Sequence, residues 1–168
     1  MSHLKQYILD VSDFPNPGVL FRDITPLIEH HFPETVEAFD GLFPASDWKG
    51  VDAVAGIESR GFIFASVLAA RHGKGFIPIR KKGKLPPPVV DVAFSLEYGS
   101  GVMEMRSGKG RILIIDDVLA TGGTLAGAAT LCAKAGYAVA GMGVLIDLRF
   151  LNTFEWDGKR VPSVIQYD

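Results

Sequence analysis

The stretch Asp116-Asp117-Val118-Leu119-Ala120-Thr121-Gly122-Gly123-Thr124 concentrates more chemical capacity than any other part of this 168-residue chain. Gly122 and Gly123 remove side chains, so backbone N–H groups can close around an anion, and Thr121 and Thr124 add hydroxyl donors. A helix opening at Thr124 would point its positive end at the same anion. Asp116 and Asp117 stand at the end of an apolar run, where two carboxylates could face a polyol or the waters around a metal. A sugar phosphate satisfies both halves. A Gly-Gly turn after a strand is common connection chemistry, but two adjacent acids repel each other unless a cation or donors stand nearby, and packing gives them no purpose. No G-x-G-x-x-G follows a strand and no G-x-x-x-x-G-K-[ST] occurs, so dinucleotide-binding and P-loop readings fall.

The elements that must position these residues are legible around them. Arg111 to Ile115 is the continuous apolar, β-branched run of a central parallel strand, followed by a helix from Thr124 to Ala135 closed by Gly136 and a strand from Ala138 to Ile146. Upstream, Val51 to Ala55 reads as a strand, Arg60 to Arg71 as a helix closed by Gly73, and Phe76 to Ile79 as a second strand. Two β-α-β units predict an α/β fold, an open and mostly parallel sheet flanked by helices on both faces, with ligands at the carboxyl ends of the strands. Ahead of them the pattern predicts a helix over Leu4 to Val11, a turn over Asp13 to Gly18 and a helix starting near Pro33. Between Arg80 and Gly110, glycines and prolines surround strand-like pieces at Val92 to Tyr98 and Val102 to Met105, which predicts a flexible lid loop over about residues 80–107.

Composition narrows the partners. Seventeen basic against nineteen acidic residues leave no electrostatic footprint for nonspecific nucleic-acid binding, so any anion must be held locally. At 48% hydrophobic residues the chain can bury a core, and one domain spanning residues 1–168 is expected. The lone Cys132 excludes a disulfide framework and a cysteine-based zinc site, and no apolar stretch approaches the roughly 20 residues of a membrane helix. A soluble, cytoplasmic protein that binds neither membrane nor nucleic acid is the expectation.

The run Ile112-Leu-Ile-Ile-Asp-Asp-Val-Leu-Ala-Thr-Gly-Gly-Thr124 resembles the phosphoribosyl pyrophosphate (PRPP) signature of the type I phosphoribosyltransferases. Asp13-Phe-Pro-Asn-Pro-Gly-Val-Leu-Phe-Arg-Asp-Ile-Thr-Pro26, Gly56-Ile-Glu-Ser-Arg-Gly-Phe62, Arg80-Lys-Lys-Gly-Lys-Leu-Pro86 and Leu96-Glu-Tyr-Gly99 resemble the adenine-specific members of that family, in the expected order over nearly the whole chain. The resemblance implies the type I phosphoribosyltransferase fold and the reaction of adenine with PRPP to give AMP and pyrophosphate, with Mg2+ carried mainly by PRPP and no direct protein ligand. A homodimer is implied as well.

Residue by residue, the resemblance places the 5-phosphate on Ala120, Thr121, Gly122, Gly123 and Thr124, and the ribose hydroxyls on Asp116 and Asp117. Pyrophosphate falls to Ser59, Arg60, Arg80 and Lys84, with a cis peptide expected between Glu58 and Ser59 and with Arg80 able to come from a partner subunit. Adenine would lie in an N-terminal base-binding segment of about 35 residues, stacked on Phe21 between the Leu20 carbonyl and the Arg22 amide. Glu97 would handle a purine ring proton and Tyr98 would close with the lid. Arg60 also invites an independent argument: a cation at a helix's positive end is unfavourable unless an anion stands nearby. For Lys81 and Lys82 a solvated charge run suffices. A noncatalytic PRPP-sensing regulator would need a DNA-binding element, and the first 50 residues lack a basic helix-turn-helix pattern. Transfer to hypoxanthine, xanthine or orotate is the nearer alternative, against which the Phe21 segment argues.

Overall fold

The computed structural model describes residues 3–96 and 99–168. A 3-10 segment, His3–Tyr7, leads into an antiparallel ribbon of β1 (Leu9–Ser12) and β2 (Leu20–Asp23). The helix expected over Leu4 to Val11 is therefore confined to its first half. Leu4 is buried and anchors the 3-10 segment, whereas every residue of β1 is exposed, and pairing with β2 decides its conformation. Two short helices follow, α1 (Thr25–His30) and α2 (Phe32–Asp40), each with proline in the first turn where its missing N–H costs nothing. A third, α3 (Ala45–Lys49), ends at Gly50.

The remaining chain builds a seven-stranded sheet from β3 (Ala53–Ile57), α4 (Gly61–Arg71), β4 (Gly75–Lys81), β5 (Val90–Ser95), β6 (Ser100–Met105), β7 (Gly110–Leu119), α5 (Gly123–Lys134), β8 (Tyr137–Leu148), a small hairpin of β9 (Glu155–Trp156) and β10 (Lys159–Arg160), and β11 (Ser163–Tyr167). The strand order is β11-β8-β7-β3-β4-β6-β5; the pairings from β11 to β4 are parallel, and β6 and β5 are antiparallel additions. Residues of β7 serve both faces: Leu113 and Ile115 pack with Phe39, Phe64 and Leu68 of α2 and α4, while Ile112 and Ile114 pack with Leu125, Leu131 and Cys132 of α5. Burial pushes the Cys132 thiol up to about 12, which suits a core residue without reactivity.

This topology fixes where chemistry can sit. From neighbouring strands β3 and β7, the chain leaves through α4 toward β4 on one side and through α5 toward β8 on the other. Their carboxyl ends therefore diverge and leave a crevice, the usual ligand position in open α/β sheets.

Within the expected lid, the two strand-like pieces are the strands β5 and β6. β5 and β6 form a hairpin that extends the sheet through β4, and its outer strand lies along α5. Gly127 permits that approach, since a Cβ there would fall 2.5 Å from the Phe94 Cβ, and the Lys134 ammonium donates to the Asp91 carbonyl at 2.8 Å. Phe94, Met103 and Met105 bury against α5, so hydrophobic packing decides the conformation despite the surrounding glycines and prolines.

Candidate active site

Strand β7 continues to Leu119, so Asp116 and Asp117 lie within the strand rather than beyond its end. The cause is β8, which runs alongside far enough to pair Asp116 with Val144 and Leu119 with Asp147. Both acids are buried, at 6% and 8% exposure. Gly61 lets the first turn of α4 close onto them: a Cβ there would stand 2.9 Å from Asp116 Oδ1 and from the Ile115 carbonyl oxygen. Asp116 Oδ1 accepts the Asp117 N–H at 2.9 Å. Burial first, and then the neighbouring Asp117 charge, hold the Asp116 carboxyl well above the usual carboxylate range.

Arg60, at the N-cap of α4, joins three parts of the crevice. Its Nε lies 2.7 Å from Asp117 Oδ2, its Nη1 donates to the Arg22 carbonyl at 3.3 Å, and its guanidinium carbon stands 4.8 Å from the Phe21 ring centre. The anion that a cation at this helix end requires is thus present within the chain itself. Asp117 Oδ2 is buried and, among the described residues, accepts no hydrogen bond, because the Arg60 contact is an ion pair without hydrogen-bond alignment. A buried acceptor of this kind suits a hydroxyl donor from a ligand. Phe21 meets Phe14 edge-on with ring centres 5.1 Å apart, so the Pro-rich turn between β1 and β2 shapes one wall.

The turn after β3 contains a cis Glu58–Ser59 peptide, and Ser59 is exposed. Glu58 Oε1 accepts from Arg80 Nε at 2.9 Å and from the Lys81 amide at 3.2 Å, while Arg80 Nη1 donates to the Lys84 carbonyl at 3.1 Å. Arg80 is therefore held by its own chain. Buried Glu104 on β6 accepts the Lys84 and Leu85 amides at 2.9 and 2.7 Å; the Leu85 bond leads the interactions that hold its carboxyl below the usual range. Lys84 is thereby placed through its backbone with its side chain exposed. Sequence reasoning missed Glu58 and Glu104 as organisers. The available signal was Glu104 itself, an acid between Met103 and Met105 in an otherwise apolar strand segment.

Gly122, at φ +94°, caps α5 in the left-handed region, where L side chains are strained. Both cradle glycines also admit neighbours. A Cβ on Gly122 would meet the Phe154 ring at 2.6 Å, and one on Gly123 would run into the Ser95 carbonyl at the end of β5. A cavity of about 230 Å³ connects Glu58 and Arg80 with Asp116, Asp117 and Thr124; a second, of about 180 Å³, lies beside Ala120, Thr121 and Gly122 under Leu96. A larger cavity, about 390 Å³, lies toward the other end of β7 and β8 near Trp48, Arg111 and Trp156, and it contains none of the acids or the cradle. Glu97 and Tyr98 lie outside the described residues. Among the described residues no three His, Cys, Asp or Glu side chains converge on a metal position, although Asp116 and Asp117 could meet the waters of a magnesium ion brought by a ligand.

The structure thus brings Asp116, Asp117, Arg60, Phe21 and Arg22 together, sets Arg80 beside the Glu58 turn, and places the glycine cradle at the start of α5. Residues 40–155 match the model of the phosphoribosyl transferase domain. The chain is 51% identical to an adenine phosphoribosyltransferase of Hydrogenovibrio crunogenus, with 98% of this chain and 96% of that one covered. Its fold superposes with a TM-score of 0.85 on adenine phosphoribosyltransferase from Rhodothermus marinus, at 40% identity over 98% of this chain and 96% of that one. A Saccharomyces cerevisiae adenine phosphoribosyltransferase, solved with an imino-altritol bisphosphate and adenine, gives a TM-score of 0.81 at 30% identity over 95% and 94%.

Proposed function

The chain belongs to the phosphoribosyltransferases, in their adenine phosphoribosyltransferase branch, and transfers the phosphoribosyl group of PRPP to adenine to give AMP and pyrophosphate; from that premise we propose how its residues divide the work. The observation that carries the proposal is the single guanidinium of Arg60, which ties the ribose-side acid Asp117 to the base-side segment at Phe21 and Arg22.

The amides of Ala120 to Thr124, the hydroxyls of Thr121 and Thr124 and the positive end of α5 hold the 5-phosphate. Breaking the C1–oxygen bond of PRPP builds positive charge on the ribose and negative charge on the departing pyrophosphate, and a largely dry site makes fixed charges effective against both. Asp117 supplies the negative charge and lines the cavity that also reaches Glu58 and Arg80. Asp116, its Oδ1 already accepting the Asp117 N–H, stands beside it and binds the ribose hydroxyls with it. Ser59, Arg60, Arg80 and Lys84 receive the pyrophosphate. Magnesium carried by PRPP would neutralise the leaving diphosphate, and Asp116 and Asp117 are the carboxylates able to hold its waters.

Adenine stacks on Phe21. In an extended strand a residue's N–H and C=O share one edge and return to it every second residue. The Arg22 carbonyl faces Arg60, so the Arg22 N–H and the Leu20 C=O face the crevice on that same edge. The Leu20 carbonyl then accepts from the exocyclic amine and the Arg22 amide donates to ring N1. Glu97 handles the purine ring proton, and Tyr98 closes with the lid. We assign the active form to a homodimer, consistent with the apolar side chains of Leu9, Val11, Phe14 and Leu20 exposed on the β1–β2 ribbon, and the compartment to the cytoplasm, consistent with a single buried cysteine. No helix among the described residues is long and apolar enough to cross a membrane.

Phe21→Ala tests the base side. It is expected to raise the KM for adenine while calorimetric affinity for PRPP stays unchanged. Equal losses of both affinities, with lower thermal stability, would make Phe21 a packing residue and remove this assignment.

A further inference from the structure

The segment after β8, which contributes none of the residues placed above, reaches the phosphate cradle from behind. Leu119, the last residue of β7 before the cradle, pairs in register with Asp147 on β8. Asp147 is 1% exposed, and its Oδ1 accepts from Asn152 Nδ2 at 3.0 Å. The same Nδ2 donates to the Leu148 carbonyl at 2.9 Å, while Asn152 Oδ1 accepts the Phe154 amide at 3.1 Å and Arg160 Nη1 at 3.2 Å. Both donor hydrogens and both lone pairs of this buried amide are used, which fixes its orientation and leaves no equivalent arrangement for another side chain. The Phe154 ring then lies where a Gly122 Cβ would be, with ring carbons 2.6 and 2.8 Å from that position, so it bears directly on the one cradle residue held at φ +94°.

We infer that Asn152 and Phe154 form a positioning brace for the phosphate cradle: Asn152 fixes Phe154, and the Phe154 ring holds Gly122 so that the amides of the turn converge on the 5-phosphate of PRPP. Neither residue lines the cavities beside the cradle and the acidic pair. The inference rests on the reading that Ala120 to Thr124 hold that phosphate. A brace acting on the cradle alone should affect PRPP and leave adenine untouched, because the Phe21 segment belongs to β2, on the other side of the acidic pair.

The test is a kinetic split. Phe154→Ala is expected to raise the KM for PRPP by roughly tenfold or more, since a displacement near 1 Å in a positioning shell costs rate or affinity on that scale, while the KM for adenine stays within about twofold. Phe154→Tyr, which keeps the ring, should restore the parental KM for PRPP. Asn152→Asp keeps the size but sets an acceptor against the Asp147 carboxylate, and should reproduce the PRPP effect in protein that still melts cooperatively. Thr124→Ala is the control for the cradle itself. If Thr124→Ala weakens PRPP binding but Phe154→Ala leaves it at the parental value, or raises both KM values together, the brace is refuted. If Thr124→Ala also leaves PRPP binding unchanged, the phosphate lies elsewhere and both the cradle reading and the brace fall.

Discussion

Arg60→Gln and Asp117→Asn remove opposite ends of one ion pair, and the structure predicts unequal costs. The Asp117 side chain keeps 11% of its surface in solvent, whereas that of Arg60 keeps 32%. Without Arg60, a carboxylate is stranded in a nearly dry site beside a second acid, and Phe21 and the Arg22 carbonyl each lose a contact. Breaking a fully buried pair costs about 3 to 5 kcal/mol, and the partial exposure of Arg60 reduces this to roughly 1 to 3 kcal/mol. For a domain of this size about 2 to 4 °C of Tm follows each kcal/mol, so Arg60→Gln should melt roughly 2 to 12 °C below the parent. Asp117→Asn leaves a guanidinium that can turn to solvent and relieves the repulsion with Asp116. Its Tm should stay within about 2 °C of the parent, the range of a change near 0.5 kcal/mol or less. Turnover should fall in both variants. Calorimetric melts at neutral pH decide the matter: an Asp117→Asn variant destabilised as much as Arg60→Gln would show that the pair is an ordinary structural bridge.

Two further outcomes follow from the same geometry. Because the folded state raises the Asp116 carboxyl, it holds that proton more tightly than the unfolded chain does; the resulting stability is full below the ordinary carboxylate range and is lost as pH rises from there to the raised value. Asp116→Asn should therefore be at least as stable as the parent near pH 7 but slower in turnover, and melts taken between about pH 4 and pH 8 that show a less stable variant at neutral pH would contradict this. Gly123→Ala drives a Cβ into the Ser95 carbonyl and should lift the β5–β6 hairpin from α5 at a cost of about 1 to 3 kcal/mol, seen as faster hydrogen exchange over residues 90–95; parental exchange would mean the hairpin is not seated there.

How much could be read from sequence depended on whether the determining interactions were local. The run from Ile112 to Ile115, the positive-φ glycines Gly73 and Gly136 after α4 and α5, and the alternation of strands and helices carry their signals within a few residues, and the sheet follows from them. A shared crevice for Arg60 and Asp117 was legible because two β-α-β units imply one at their carboxyl ends, but their direct ion pair was not, since the resemblance gives Arg60 to pyrophosphate. β1 was hidden, since four exposed residues have no buried face to impose a period, and only pairing with β2 selects the strand. The strands of the β5–β6 hairpin were legible as apolar pieces within the lid, but their seat on α5 was not, because it rests on Phe94, Met103 and Met105 meeting a helix distant in sequence. Nothing in the spacing of Asp147, Asn152 and Phe154 indicates that the Phe154 ring reaches Gly122, because that contact exists only once β8 lies beside β7.

The ratio of kcat/KM for adenine to that for hypoxanthine, measured with PRPP and magnesium, tests the base readout at β2 most directly. Hypoxanthine presents an oxygen to the Leu20 carbonyl and an N–H to the Arg22 amide, two mismatches at about 1 to 3 kcal/mol each. The predicted preference for adenine is therefore roughly 2 to 6 kcal/mol, or tens to tens of thousands in the ratio. Comparable values for the two bases would contradict the backbone readout at β2 and the base specificity built on it.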